Sequence, residues 1–291
     1  MLYCLWKRPV KRKIISLILS IAAAAIILSG SGGDPRYPWL GNYLKENALK
    51  ERIPAPEGFR RIDLPEGHFG LWLRGLPLKK KGSPVRLYNK RLKARQDIHY
   101  AVIDIDTGKR DLQQCADAVI RLRTEFLWSE ERFDEIGFNF VSGFYASYER
   151  WREGCRIRME GSKLKEERTA GYDGTHECFR KYLDAVFTYA NTYSLKKELA
   201  SSYIRTVMPG DVLICGRASG YCHAVIVMDV AENDVGKRRF ILAQSYMPAQ
   251  DIHILKVPGS DDCWYEIPEG DILSTPEWDF GIDEIKRFRE K

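Results

Sequence analysis

The apolar residues of this chain change period twice, and that change limits the fold more than any other feature. Between residues 59 and 106 the period is mostly two, and Phe69–Arg74, Val85–Tyr88 and Tyr100–Ile105 read as strands separated by Gly, Pro and Asn turns. Leu112, Cys115 or Ala116, Val119, Leu122 and Phe126 then recur at three and four residues, with Arg121, Arg123 and Glu125 off that line. Asp111 is the expected cap of this helix. Further helices are expected around 143–152, 175–191 and 194–204, and the charged stretch 157–173 reads as a loop. From Pro209 the period returns to two over Asp211–Cys215, His223–Val230, Arg239–Gln244 and Ile252–Leu255. Strands, then helices, then strands specify an α+β fold with a mainly antiparallel sheet, not a regular βαβ alternation.

The first 33 residues are set apart. Lys7, Arg8, Lys11, Arg12 and Lys13 precede an uncharged apolar run, Ile14–Leu28, and then the small residues Ser29–Gly33. This is the order of an export signal. Leu28-Ser29-Gly30-Ser31 is similar to a lipoprotein box in which Ser31 stands where the lipid-accepting cysteine belongs, so lipid anchoring is not expected. An extracytoplasmic, periplasmic or cell-envelope location is, with membrane contact only through an uncleaved signal. Residues 34–58, bearing Pro35, Pro38, Pro54 and Pro56, read as an extended arm with one short helix near 40–51, and 59–291 as one α+β domain. Residues 1–33 hold five of the 46 Lys and Arg and none of the 40 Asp and Glu, leaving 41 against 40 in the remainder. Near-neutrality argues against nucleic acid, whose binding depends on clustered cations. Six cysteines lie beyond the signal, too sparse for a disulfide scaffold. Cys215 and Cys222 bracket the turn Gly216–Tyr221 and could face each other across it, but a bridge needs close Cα atoms, a distance that spacing does not show, and unpaired thiols are the more expected state.

Three residues in chain order carry candidate chemistry. Cys115 falls in the first turn of its helix, where unpaired N–H groups lower a thiol pKa and can hold an oxyanion; Gln113 or Gln114 would add a side-chain donor. Cys115 also lies on the apolar stripe, which is equally the place of a packed, inert thiol. His223 opens a buried strand beside a Gly-containing turn, a position for a general base or for a structural histidine. If Val230 opposes Arg239, then Val225 opposes Gln244, and His223 and Gln244 become diagonal neighbours on one face, where an amide can orient an imidazole. A one-residue slip would remove Gln244 from that face. Phe144, Tyr148 and Trp151 fit core packing better than a sugar groove. His176-Glu177-Cys178 does not face one site on a helix, so no metal and no cofactor is expected.

The order Cys115, Pro209-Gly210-Asp211-Val212-Leu213, His223, Gln244 resembles the bacterial NlpC-type, papain-like peptidases and amidases. That resemblance implies a helix carrying Cys115 packed on an antiparallel sheet, with a helical insertion filling the long interval before His223. It also implies hydrolysis of a peptide or amide bond, of peptidoglycan type. A non-catalytic envelope protein, binding or structural, with the same fold is the alternative. A second resemblance spans nearly the whole chain after the signal. Asp111–Ala118, Phe138-Asn139-Phe140, Ser142-Gly143-Phe144, His223–Val227, Leu242–Leu255 and Thr275-Pro276-Glu277-Trp278 are similar to a family of exported bacterial proteins, domain of unknown function 4846. It implies an extracytoplasmic location and no activity.

Overall fold

Among the described residues, the longest helix carries Cys115 at its first position and is enclosed on all sides. In the computed structural model, which describes residues 34–216 and 220–289, the helices are α1 (Leu49–Arg52), α2 (Phe69–Gly75), α3 (Cys115–Ser129), α4 (Tyr148–Arg152), α5 (His176–Tyr189) and α6 (Thr192–Glu198). The expected export signal lies outside the described residues. Ala116 through Leu127 of α3 are all buried, including Arg121, Arg123 and Glu125. These three charges lie off the apolar stripe but not in water. Arg121 Nε bonds Glu125 Oε1 at 2.6 Å, Glu125 Oε2 meets His176 Nε2 at 2.9 Å, and Arg121 Nη2 reaches Asp106 at 3.1 Å. Such charges are tolerated in a core because each has a partner.

A nine-stranded sheet lies against α3. Its spatial order is 99–102, 253–255, 238–244, 224–232, 212–214, 285–287 and 200–201; 60–61 pairs with 224–232, and 264–266 with 238–244. Each of these pairings is antiparallel, so the class is α+β with an antiparallel sheet. Both faces of its centre are covered. Ala224, Ile226, Met228, Ile241 and Ala243 pack with α3, whereas Val225, Val227, Phe240 and Leu242 pack with Leu273 and Phe280 on the other side. This alternation follows from the two-residue period of a strand. Double coverage explains why Ala224–Val230 is a near-continuous apolar run.

Asp229 interrupts that run and is fully buried, with Oδ1 on Arg74 Nε and Oδ2 on Arg61 Nε, each at 2.6 Å. The Pro-bearing N-terminal segment is anchored to the same core. Tyr37 and Leu49 are fully buried, Tyr37 Oη donates to Trp72 O, and Leu49 N donates to Leu76 O.

Several local expectations are corrected. Phe69–Arg74 forms helix α2, not a strand: Phe69, Trp72 and Leu73 make one buried helical stripe, Leu71 is exposed, and the His68 side chain caps the first turn by accepting from Gly70 N. The stretch 157–173 is not a loop throughout, because Cys155–Glu160 pairs with Lys163–Arg168 as a hairpin. Its strands are largely solvent-facing, so no apolar alternation marked them. The 143–152 helix is only its second half, after the strand Tyr145–Ser147.

Candidate functional site

The start of α3 meets the end of the His223 strand. Gln114 caps the helix in a reciprocal box with Asp117, whose Oδ2 accepts from Gln114 N at 3.1 Å. Asp111, the cap expected from sequence, is used differently: its Oδ1 takes Gln114 Nε2 at 3.1 Å and Ala249 N at 2.7 Å. This ties the helix start to the loop after Gln244.

On the sheet, the strand 224–232 pairs with 212–214 as far as Ile214↔Ala224, and Cys215 N continues onto His223 O at 3.1 Å. Against 238–244 the ladder ends earlier, at Ile226↔Ala243. The Ala224 N–H thus lies beyond the last pair of that ladder, and the Cys115 sulfur packs against it. Sγ also lies 4.0 Å from the Cys222 carbonyl oxygen. The sulfur therefore touches the peptide groups on both sides of His223.

His223 itself is 1% exposed. Its Nε2 is 2.7 Å from Gln244 Oε1, the imidazole–amide pairing anticipated from the strand register. A compensation produced it. Val230 opposes Phe240, one residue away from the expected Arg239, but a bulge between Ile241 and Leu242 restores the register, so that Ile226 opposes Ala243 and Val225 faces the Gln244 level. Tyr246 packs edge-on against the imidazole at 4.8 Å, and Phe280 stacks at 6.0 Å with its plane 27° away. His223 and Gln244 thus share the face turned away from α3, while Cys115 approaches from the α3 side.

Cys115 and His223 make no hydrogen bond to each other among the described residues. Cys115 lines a cleft of about 260 Å³ with Asp117, Asn191, Tyr221 and Met247, whereas His223 does not line it. Gln114 is on the cleft wall, but its amide N–H is given to Asp111. Gln113 is 1% exposed and turned inward: Oε1 accepts from Arg121 Nη1 at 3.1 Å, and its carbonyl accepts from Ser245 Oγ at 2.9 Å. In this arrangement Gln113 offers no donor to the cleft.

The electrostatics also differ from the helix-terminus expectation. Burial pushes the Cys115 thiol up to about 11, with the neighbouring Asp117 adding to the rise and backbone N–H groups opposing it. Burial likewise raises the Asp117 carboxyl well above its usual range. Burial lowers His223 to about 4, and Lys93 adds to that, against the opposing effects of Gln244 and Glu277. The resting pair is a neutral thiol and a neutral imidazole.

Around Gln244 lie residues that sequence reasoning did not single out as site residues. Gln244 Nε2 is 2.6 Å from Glu277 Oε2 and 3.3 Å from His253 Nε2, and Lys93 Nζ is 2.7 Å from Glu277 Oε1. His253 faces Gln244 across the adjacent strand pair, a relation visible only once the sheet order is known. Among the described residues no group of three or more His, Cys, Asp or Glu side chains is arranged to hold a metal ion. Cys215 and Cys222 form a disulfide, with Cα atoms 5.2 Å apart, beside the cleft wall.

No curated protein and no solved structure matches this chain. One family model does, that of Domain of unknown function (4846), over residues 49–287. That match covers most of the chain, and the protein belongs to this family.

Proposed function

We propose that the chain is an exported cysteine hydrolase of papain-like, NlpC-type architecture, acting on a peptide or amide bond of the cell envelope. The observation that carries this reading is the seating of the Cys115 sulfur on the two peptide groups flanking His223, while Gln244 holds His223 by Nε2. Nδ1 has no hydrogen-bond partner among the described residues and is the nitrogen left for the thiol. In the reaction Cys115 Sγ attacks the carbonyl carbon and its proton passes to His223 Nδ1. The imidazolium returns that proton to the leaving amine, and water then hydrolyses the thioester. The N–H groups at the start of α3 face the developing oxyanion. Because His223 starts on the sheet face turned away from α3, its ring must swing round the end of the strand towards the sulfur when substrate binds. The Cys215–Cys222 disulfide agrees with an oxidising compartment.

A second reading, a non-catalytic envelope protein with the same fold, is favoured by the raised thiol pKa and the missing Cys115–His223 bond. The two are separated by incubating the protein with peptidoglycan fragments and reading cleavage by mass, with iodoacetamide labelling of the folded protein from pH 5 to 9 alongside. The hydrolase reading expects cleavage that Cys115→Ser and His223→Ala each reduce by ~10³-fold or more. Absence of cleavage, together with Cys115 unlabelled until the protein is denatured, would refute it.

A further inference from the structure

We propose that Glu277 is a positioning residue of this site: by accepting an N–H of the Gln244 amide, it decides which end of that amide meets His223 and so keeps the imidazole proton on Nε2 and the lone pair on Nδ1. The inference rests on the cysteine-hydrolase reading only for its catalytic consequence; the hydrogen-bond logic stands on the geometry.

An amide side chain can present either its oxygen or its nitrogen, and its neighbours choose between them. Here the choice is forced at two contacts. Glu277 Oε2 lies 2.6 Å from one end of the Gln244 amide. At that distance a carboxylate oxygen requires an N–H, since a carbonyl oxygen there would be repelled. The Lys93 ammonium, 2.7 Å from the other Glu277 oxygen, stabilises the negative charge that makes the demand. His253 makes the second contact. Its Nδ1 is 2.8 Å from the Asp251 carbonyl, which accepts only, so Nδ1 carries the proton and Nε2 carries a lone pair. That lone pair lies 3.3 Å from Gln244 Nε2 and takes the other amide hydrogen.

Both amide hydrogens are then committed, and the Gln244 oxygen is left for His223 Nε2 at 2.7 Å. An oxygen accepts only, so His223 must donate from Nε2. The basic nitrogen is Nδ1. This group is well shielded: Gln244 is 1% exposed, His253 is fully buried, and the Glu277 and Lys93 side chains are 12% and 8% exposed. Water is thus poorly placed to replace Glu277. With Glu277 removed, a flipped Gln244 can offer N–H to His223 Nε2, moving the proton to Nδ1 and turning the base away from the thiol. Glu277 lies in Thr275-Pro276-Glu277-Trp278, where Thr275 Oγ1 accepts from Trp278 N at 3.1 Å, a tight turn that holds the carboxylate against the amide.

The test is the His223 tautomer, read from ¹⁵N shifts of the ring nitrogens at pH 7. Wild type should show His223 protonated on Nε2. Glu277→Met alone leaves Lys93 buried without its partner and is liable to misfold, so the informative variant is Lys93→Met with Glu277→Met, which removes both charges at similar volume. In that variant His223 should become a mixture of tautomers, while Lys93→Met alone should keep the Nε2–H form even if it melts earlier. A merely structural role for Glu277 would lower the melting temperature without moving the tautomer. His223 protonated on Nδ1 in wild type, or an unchanged Nε2–H form in the double variant, overturns the proposal. Labelling of Cys115 judges the catalytic reading separately. A loss of ~10²-fold or more in labelling rate alongside the tautomer change supports both. A tautomer change without any effect on labelling keeps Glu277 as the lock and removes the hydrolase reading.

Discussion

Acid should reveal the state of His223 before any substrate is known. Burial lowers this imidazole to about 4, against an ordinary value of ~6.5. The folded chain therefore resists a proton that the unfolded chain accepts. The associated stability is fully present above about pH 6.5 and is lost as pH falls from there towards 4. Each pH unit in that window removes ~1.4 kcal/mol, so between pH 7 and pH 5 His223 removes ~2 kcal/mol after allowing for the part already titrated. Other groups contribute to the raw curve. His253, lowered to about 3 by burial, acts in the same direction, and Asp117, whose carboxyl burial raises well above its usual range, acts in the opposite one. Comparison with His223→Gln cancels Asp117 and the burial effect on His253, leaving besides His223 only its own charge effect on His253. Urea unfolding of the two proteins at pH 7 and at pH 5 should show the stability gap between them narrowing by ~2 kcal/mol at the lower pH. If the gap stays constant to within ~0.5 kcal/mol, His223 is not held neutral by the fold and its burial has been misjudged.

Two further outcomes follow from the packing. Asp229→Asn leaves Arg61 and Arg74 facing a neutral amide in place of a carboxylate that each contacts at 2.6 Å; urea unfolding should show a loss of ~3–5 kcal/mol, and a loss below ~1 kcal/mol would mean that the pair is not a buried anchor of the sheet. Reduction of the Cys215–Cys222 disulfide, or Cys215→Ser with Cys222→Ser, should lower stability by ~2–3 kcal/mol, the modest value of a short closed loop; unchanged melting in dithiothreitol would count against the bond.

The α+β class, the antiparallel sheet and the helix carrying Cys115, though not its first residue, were legible from the periods of apolar residues, because burial of a strand face or a helix stripe writes its spacing directly into the chain. The nearness of His223 to Gln244 was legible too, since two strands joined by a short loop have few registers to choose from. Even there the hairpin end was one residue out, and the bulge at Ile241/Leu242 corrected it. Phe69–Arg74 reads as a strand because a short apolar run satisfies both periods; only its packing, with Leu71 outward, chose the helix Phe69–Gly75.

Side-chain direction and solvation belonged to the tertiary structure. Local sequence could not show that α3 is enclosed on every side, and that enclosure buries Arg121 and Glu125 with partners from elsewhere in the chain. Enclosure also reverses the expected pKa of Cys115: a helix N-terminus lowers a thiol pKa, but desolvation of the thiolate outweighs it here. Glu277 and His253 gather at Gln244 from separate strands and turns, 33 and nine residues away along the chain. By itself the sequence determined the α+β class, the helix that carries Cys115 and the pairing of the His223 and Gln244 strands. Which groups share one desolvated space was decided by the sheet order and the closing of the chain around it, because desolvation and hydrogen-bond geometry depend on distances that spacing along the chain does not encode.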